Sequence, residues 1–152
     1  MEGDATERSV VAYLPEPDEI LSKLATDRCD EVRIYVARNP KASAVTLEKL
    51  SGDKVEEVRF EVAYNEKTSA KILDKMSEDK SDDVREAVAG NFKTPVRVLT
   101  KLAKDKSDNV RAAVAKNPKT SAKVLAKLAK DDCKVVKEYL ATNPALPEEL
   151  LA

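Results

Sequence analysis

With no His, Trp or Gln among its 152 residues, acid–base chemistry in this chain would fall to Asp, Glu, Lys and Tyr. Without His there is no imidazole proton shuttle, no His-based triad and no His-ligated metal. Three Gly are too few for a Gly-rich phosphate loop. The most regular polar constellation sets Asp six residues before Arg: Asp27 and Arg33, Asp53 and Arg59, Asp79 and Arg85, Asp105 and Arg111. A charged ladder of this kind could bind a ligand. Copied at even intervals, it better fits a structural task, with each Asp capping a helix or pairing with an Arg of its own or the next repeat. No nucleophile, general base and orienting group recur at a workable spacing, so the chain reads as non-catalytic, with no cofactor and no metal site.

What positions these residues is an internal repeat of period 26, which divides the chain into 21–46, 47–72, 73–98, 99–124 and 125–150 behind a leading segment 1–20. Leu21, Leu47, Leu73, Leu99 and Leu125 head the repeats, and Leu24, Leu50, Met76, Leu102 and Leu128 follow three residues on. After the Asp column come Val32, Val58, Val84, Val110 and Val136, and then Val36, Val62, Val88, Val114 and Leu140. Ala37, Ala63, Ala89, Ala115 and Ala141 come next, and Asn39, Asn65, Asn91, Asn117 and Asn143 close the pattern. The apolar spacing predicts two short helices per repeat, each with one buried stripe. The Asn is expected to end the second helix in the left-handed conformation and to satisfy backbone groups of the turn, helped by Pro40, Pro118 and Pro144 directly after it. Such short helices are unstable alone, so they must stack on their neighbours. The expected fold is an all-α solenoid in one domain, with residues 1–20 as an N-terminal cap whose Pro15–Ile20 stretch aligns with 41–46.

The run from Leu102 to Ser121 resembles the unit of the leucine-rich repeat variant family, L-A-x-D-x-x-x-x-V-R-x-A-V-A-x-N-P-x-T-P, and the likeness recurs in five repeats. The resemblance implies alternating α and 3₁₀ helices in a right-handed superhelix, with the Asp, Arg and Asn columns structural. The Asp and Val-Arg element is also similar to that of HEAT repeats, whose likeness implies that the second helix lines a concave face. A Cys-rich iron–sulfur module described ahead of the repeats in one member of the variant family has no counterpart in this sequence, so no cluster is implied.

Cys29 and Cys133 stand in one column four repeats apart, a separation on the order of 30 to 40 Å at ordinary helix spacing, too far for a disulfide. They read as reduced thiols, without the companions a metal site requires. Recognition should lie where the repeat varies. In the second helix the variable positions hold Ile34, Tyr35 and Arg38, then Phe60 and Tyr64, a candidate apolar patch for gripping a protein or peptide. The alternative is nucleic-acid binding through 97–137, which carries twelve basic and four acidic residues, with Lys116, Lys119 and Lys123 as its contacts. The formal net charge of −1 and the few aromatics in that stretch weigh against it. No secretory signal and no run of about 18 apolar residues is present, which predicts a cytoplasmic protein without a membrane partner. Leu146, Leu150 and Leu151 fall where another repeat would cover them, so an end-to-end homodimer is a further expectation.

Overall fold

A computed structural model describes residues 4–14 and 16–147. Among them are eleven α-helices and no strand: α1 (Ala5–Tyr13), α2 (Asp18–Leu24), α3 (Asp30–Arg38), α4 (Ala44–Leu50), α5 (Glu56–Tyr64), α6 (Ala70–Met76), α7 (Asp82–Gly90), α8 (Val96–Leu102), α9 (Asp108–Lys116), α10 (Ala122–Leu128) and α11 (Lys134–Ala141). From α2 onward a seven-residue helix alternates with one of eight or nine, one pair per repeat, and the fold is an all-α solenoid of repeated helix pairs. The short helices are α throughout, and i→i+3 bonds such as Asp27 N–H to Leu24 O (3.0 Å) tighten the turn that follows them.

The chain forms two compact units, Met1–Ile72 and Leu73–Ala152, divided at the junction of the second and third repeats. In the first, the longer helices α1, α3 and α5 pack side by side, α2 packs against α4, and each short helix rests on its longer neighbours. The second unit has the same two-layer order, with α9 between α7 and α11 and with α8 and α10 against them. The recurring Leu and Val columns supply the interior: Leu21, Leu47, Leu73, Leu99, Leu125 and the five Val from Val32 to Val136 are wholly buried. Each such side chain contributes about 1.5–3 kcal/mol of hydrophobic stabilisation. Ala37, Ala63, Ala89 and Ala115 are likewise sealed, their small side chains suiting close helix approach, whereas Ala141 of α11 is exposed.

Two local details depart from expectation. The Asn that ends α3, α5, α7 and α9 has extended backbone, not left-handed: φ/ψ is −68/125 at Asn39, −64/127 at Asn65, −70/126 at Asn91 and −67/124 at Asn117. Backbone tolerance therefore does not explain the column; the side chain does, as described below. The leading segment also contains a full longer helix, α1, which packs on α3. Arg8, Val11 and Ala12 correspond to Arg33, Val36 and Ala37 at an offset of 25 rather than 26, and Glu7 stands in the Val column, so the strict period misses it. Of the C-terminal leucines, Leu146 is half-buried, and Leu150 and Leu151 lie outside the described residues.

Candidate functional site

The repeated polar side chains are consumed by the scaffold. Arg33 donates Nε–H to Asp53 Oδ2 (2.7 Å) and Nη2–H to Asp53 Oδ1 (3.1 Å), while Nη1–H reaches the main-chain carbonyl of Asp27 (2.7 Å). Arg85 binds Asp105 in the same fork at 2.7 and 2.9 Å, and Arg111 binds Asp131 at 2.7 and 3.1 Å. Each of these carboxylates thus meets the Arg of the preceding repeat, 20 residues earlier, not one of its own or the next repeat. The six-residue spacing is realised through the Asp carbonyl, as where Arg59 Nη1–H donates to Asp53 O at 2.9 Å. The carboxylate also accepts the N–H two residues on, at Cys29, Val55, Ser81, Ser107 and Cys133, and so fixes the residue that opens the longer helix. Hydrogen bonds from Arg8 and Arg111 hold Asp27 and Asp131 below the usual carboxylate range. At Asp53 and Asp105 burial, the largest single influence, would raise the carboxyl, but the bonds from Arg33 and Arg85, the N–H groups of Val55 and Ser107 and the nearby positive charges together outweigh it and the net shift is downward.

The Asn column is equally committed. Asn65 donates both Nδ2 hydrogens, to Ala37 O (2.6 Å) and Asn39 O (3.1 Å), and Oδ1 accepts from Lys67 N–H (2.8 Å). Asn39, Asn117 and Asn143 repeat this on the carbonyls of 12 and 14, 89 and 91, and 115 and 117. In Asn91 the Oδ1 accepts from Lys93 N–H. These bonds satisfy helix-end carbonyls that would otherwise be orphaned. A Thr column, the T of N-P-x-T-P to which the sequence alone assigned no role, joins them. Thr68, Thr94 and Thr120 are buried and donate Oγ1–H to Val62 O, Val88 O and Val114 O at 2.5–2.6 Å. Its signal was available, as the same residue type three times at period 26. Asp18, which accepts from Ser43 N–H and Thr46 Oγ1–H, had none, since it occurs once.

The candidate recognition residues Ile34, Tyr35, Arg38, Phe60 and Tyr64 lie on the longer helices α3 and α5. In the first unit Phe60 and Tyr64 stack along α5 with ring centroids 6.2 Å apart and planes 11° apart, Phe60 half-buried and Tyr64 70% exposed. Arg38 on α3 donates Nη2–H to the largely buried Glu61 of α5 (2.6 Å) and lies 3.4 Å from Glu57. Tyr35 takes a different partner: its ring meets Tyr13 of α1 edge to face, with centroids 6.0 Å apart. Ile34 is half-buried. The expected patch is therefore two aromatic pairs, one on α5 and one shared by α1 and α3. Tyr13 and Val10 went unrecognised because of the 25-residue offset, which would have put them in the columns of Arg38 and Tyr35.

In the second unit the basic stretch is partly neutralised. Arg97 pairs with Asp74 (2.6 Å), Lys101 with Glu78 (2.7 Å), and Arg111 with Asp131 and Asp108. Lys116 lies over the Tyr139 ring at 5.4 Å. Lys119 and Lys123 are exposed. Cys29 and Cys133 are free, half-buried thiols at the starts of α3 and α11. Among the described residues no group of three or more His, Cys, Asp or Glu could hold a metal ion, and no helix is long and apolar enough to cross a membrane.

No protein-family model matches the chain, and no curated protein matches it. Among solved structures, one of a leucine-rich repeat variant with a novel repetitive structural motif superposes with a TM-score of 0.76 at 28% identity, covering 99% of this chain. This chain spans 60% of the length of that one. Two designed armadillo repeat proteins, one in complex with the peptide (KR)4, match at 17% identity with TM-scores of 0.46 and 0.49, covering 96% and 99% of this chain and 86% and 96% of theirs. The resemblance read from the Leu, Asp, Val-Arg and Asn columns therefore holds in three dimensions: the chain is a helical repeat solenoid with the fold of a leucine-rich repeat variant.

Proposed function

We propose that the chain is a non-catalytic protein-binding or scaffolding module whose recognition surface is the face formed by Ile34, Tyr35, Arg38, Phe60 and Tyr64. The observation that carries this reading is Tyr64, a ring 70% exposed yet pinned by stacking on Phe60 and flanked by an Arg anchored to Glu61. A rigid exposed aromatic beside Arg is the composition of interface hot spots, since little side-chain entropy remains to be lost on binding. The repeated Asp, Arg, Asn and Thr have their polar atoms engaged within the fold, which leaves recognition to the positions that vary. Tyr64→Ala and Arg38→Gln, the latter keeping an amide donor for Glu61, should each abolish affinity capture of a partner from an extract of the source organism, with the melting temperature held within a few degrees. Capture unchanged in both variants would end this reading.

Nucleic-acid binding through the second unit is the lesser alternative, supported by Lys119 and Lys123, which have no carboxylate within ion-pair distance among the described residues. In that case Lys116→Glu, Lys119→Glu and Lys123→Glu together should flatten the salt dependence of DNA or RNA binding.

A further inference from the structure

Between α1 and α3 of the first unit a pocket of about 400 Å³ opens among Thr6, Ser9, Val10, Tyr13, Glu31 and Tyr35. The scaffold explains none of its polar features. Ser9 is buried to all but 6%, and its hydroxyl is the one buried side-chain polar atom among the described residues with no hydrogen-bond partner. Leaving such a group unsatisfied costs about 1–3 kcal/mol, and with its oxygen sealed from solvent Ser9 forms part of the pocket floor without offering a contact to a ligand. Glu31 is exposed, and among the described residues no cation lies within ion-pair distance of it. The Tyr13 and Tyr35 rings stand at 84° to one another, so the corner they make offers π faces of negative potential. Val10, 55% exposed, supplies an apolar wall. Residues 1–72 carry fifteen acidic and eleven basic side chains, and Arg8, Arg33 and Arg38 are bound to Asp27, Asp53 and Glu61.

The geometry points to a pocket for a cationic side chain, the Lys or Arg of a partner protein that docks on this face. The inference rests on the protein-binding reading above and adds the chemistry of the contact. The methylene stem packs on Val10 and the tyrosine rings, while the charged head donates to the Glu31 carboxylate and sits against ring density. The Glu31 carboxylate and the ring faces disfavour an anion. A purely apolar side chain would cover the Glu31 carboxylate without pairing it.

The test is ¹H–¹⁵N NMR titration of the full chain with capped pentapeptides, Gly-Gly-X-Gly-Gly, in which X is Lys, Arg, norleucine or Glu. The Lys or Arg peptide should shift the amides of Ser9, Glu31 and Tyr35 saturably, the norleucine and Glu peptides should not, and 0.5 M NaCl should weaken the effect. Glu31→Gln and Tyr13→Ala should each weaken binding at least about five-fold. Both sites are exposed, so the melting temperature serves as the check that the variants stay folded. Equal binding of the norleucine peptide, shifts confined to another face, or no shift at all would overturn the proposal. Capture of the partner separates this failure from that of the broader reading. Capture lost with Tyr64→Ala but untouched by Glu31→Gln and Tyr13→Ala sinks the pocket alone; capture insensitive to all three sinks both.

Discussion

Asn117 uses every polar hydrogen of its side chain: Nδ2 donates to Ala89 O (2.7 Å) and Asn91 O (3.2 Å), and Oδ1 accepts from Lys119 N–H (2.9 Å). Removing it orphans two buried carbonyls and an amide, so Asn117→Ala should cost about 2–4 kcal/mol in urea unfolding. Asn117→Asp is isosteric but sets a carboxylate against those two carbonyls, and at pH 7 it should cost more than Ala. That environment raises the carboxyl's folded pKa above its unfolded value. The penalty is therefore complete above the folded pKa and fades as pH falls toward the unfolded one, where the protonated acid can donate. Unfolding at pH 7 and pH 4.5 should show the gap between Asp and Ala narrowing. The Asn column was legible from sequence as a backbone-satisfying ladder, but the atoms it serves were not, since they belong to the preceding repeat. The same holds for Asp53, whose partner Arg33 lies 20 residues back while the eye is drawn to Arg59, six ahead.

At the scale of the element, short helices depend on capping and packing more than on propensity, and α7 carries the one clear propensity defect. Gly90 closes that helix where the other repeats have Arg38, Tyr64 and Lys116, and a Cβ built on it would meet nothing within 4 Å. Gly90→Ala should therefore stabilise by about 0.5–1 kcal/mol by restricting the unfolded chain, raising the melting temperature by about 1–4 °C in calorimetry. Helix existence was legible because the buried stripes recur without interruption. The α1 helix was not, because one residue fewer before Asp27 shifts its register and Glu7 breaks the Val column. That shift also hid Val10 and Tyr13, and with them half of the α1–α3 pocket, whereas Tyr35, Phe60 and Tyr64 stood out as aromatics at variable positions.

For the whole molecule, the ion-pair ladder sets how stability responds to pH. Asp27, Asp53, Asp105 and Asp131 are held below the ordinary carboxylate range, as is Asp18, where the bonds from Ser43 and Thr46 outweigh the upward pull of burial. A carboxyl depressed in the folded state contributes stability that is whole above its unfolded pKa, about 3.9, and is lost as pH falls through the folded value. Glu86 works the other way: burial, with Asp83 and Asp82 adding repulsion, raises it, so its protonation favours the fold. Among the described residues these depressed carboxyls set against the raised Glu86 make the net effect of acid destabilising. With no His, no side chain has an ordinary pKa near 6.5. Urea midpoints should therefore stay flat between about pH 6 and 8 and fall steeply below about pH 4. Salt is the companion variable. The Arg33–Asp53 side chains are only 7% and 10% exposed, and those of Arg85–Asp105 9% and 10%, so ions in solution screen them weakly. At pH 7, raising NaCl from 0.05 to 0.5 M should move the midpoint far less than acidification to pH 3 does, and the reverse order would place the stabilising charge on the surface instead of in the ladder.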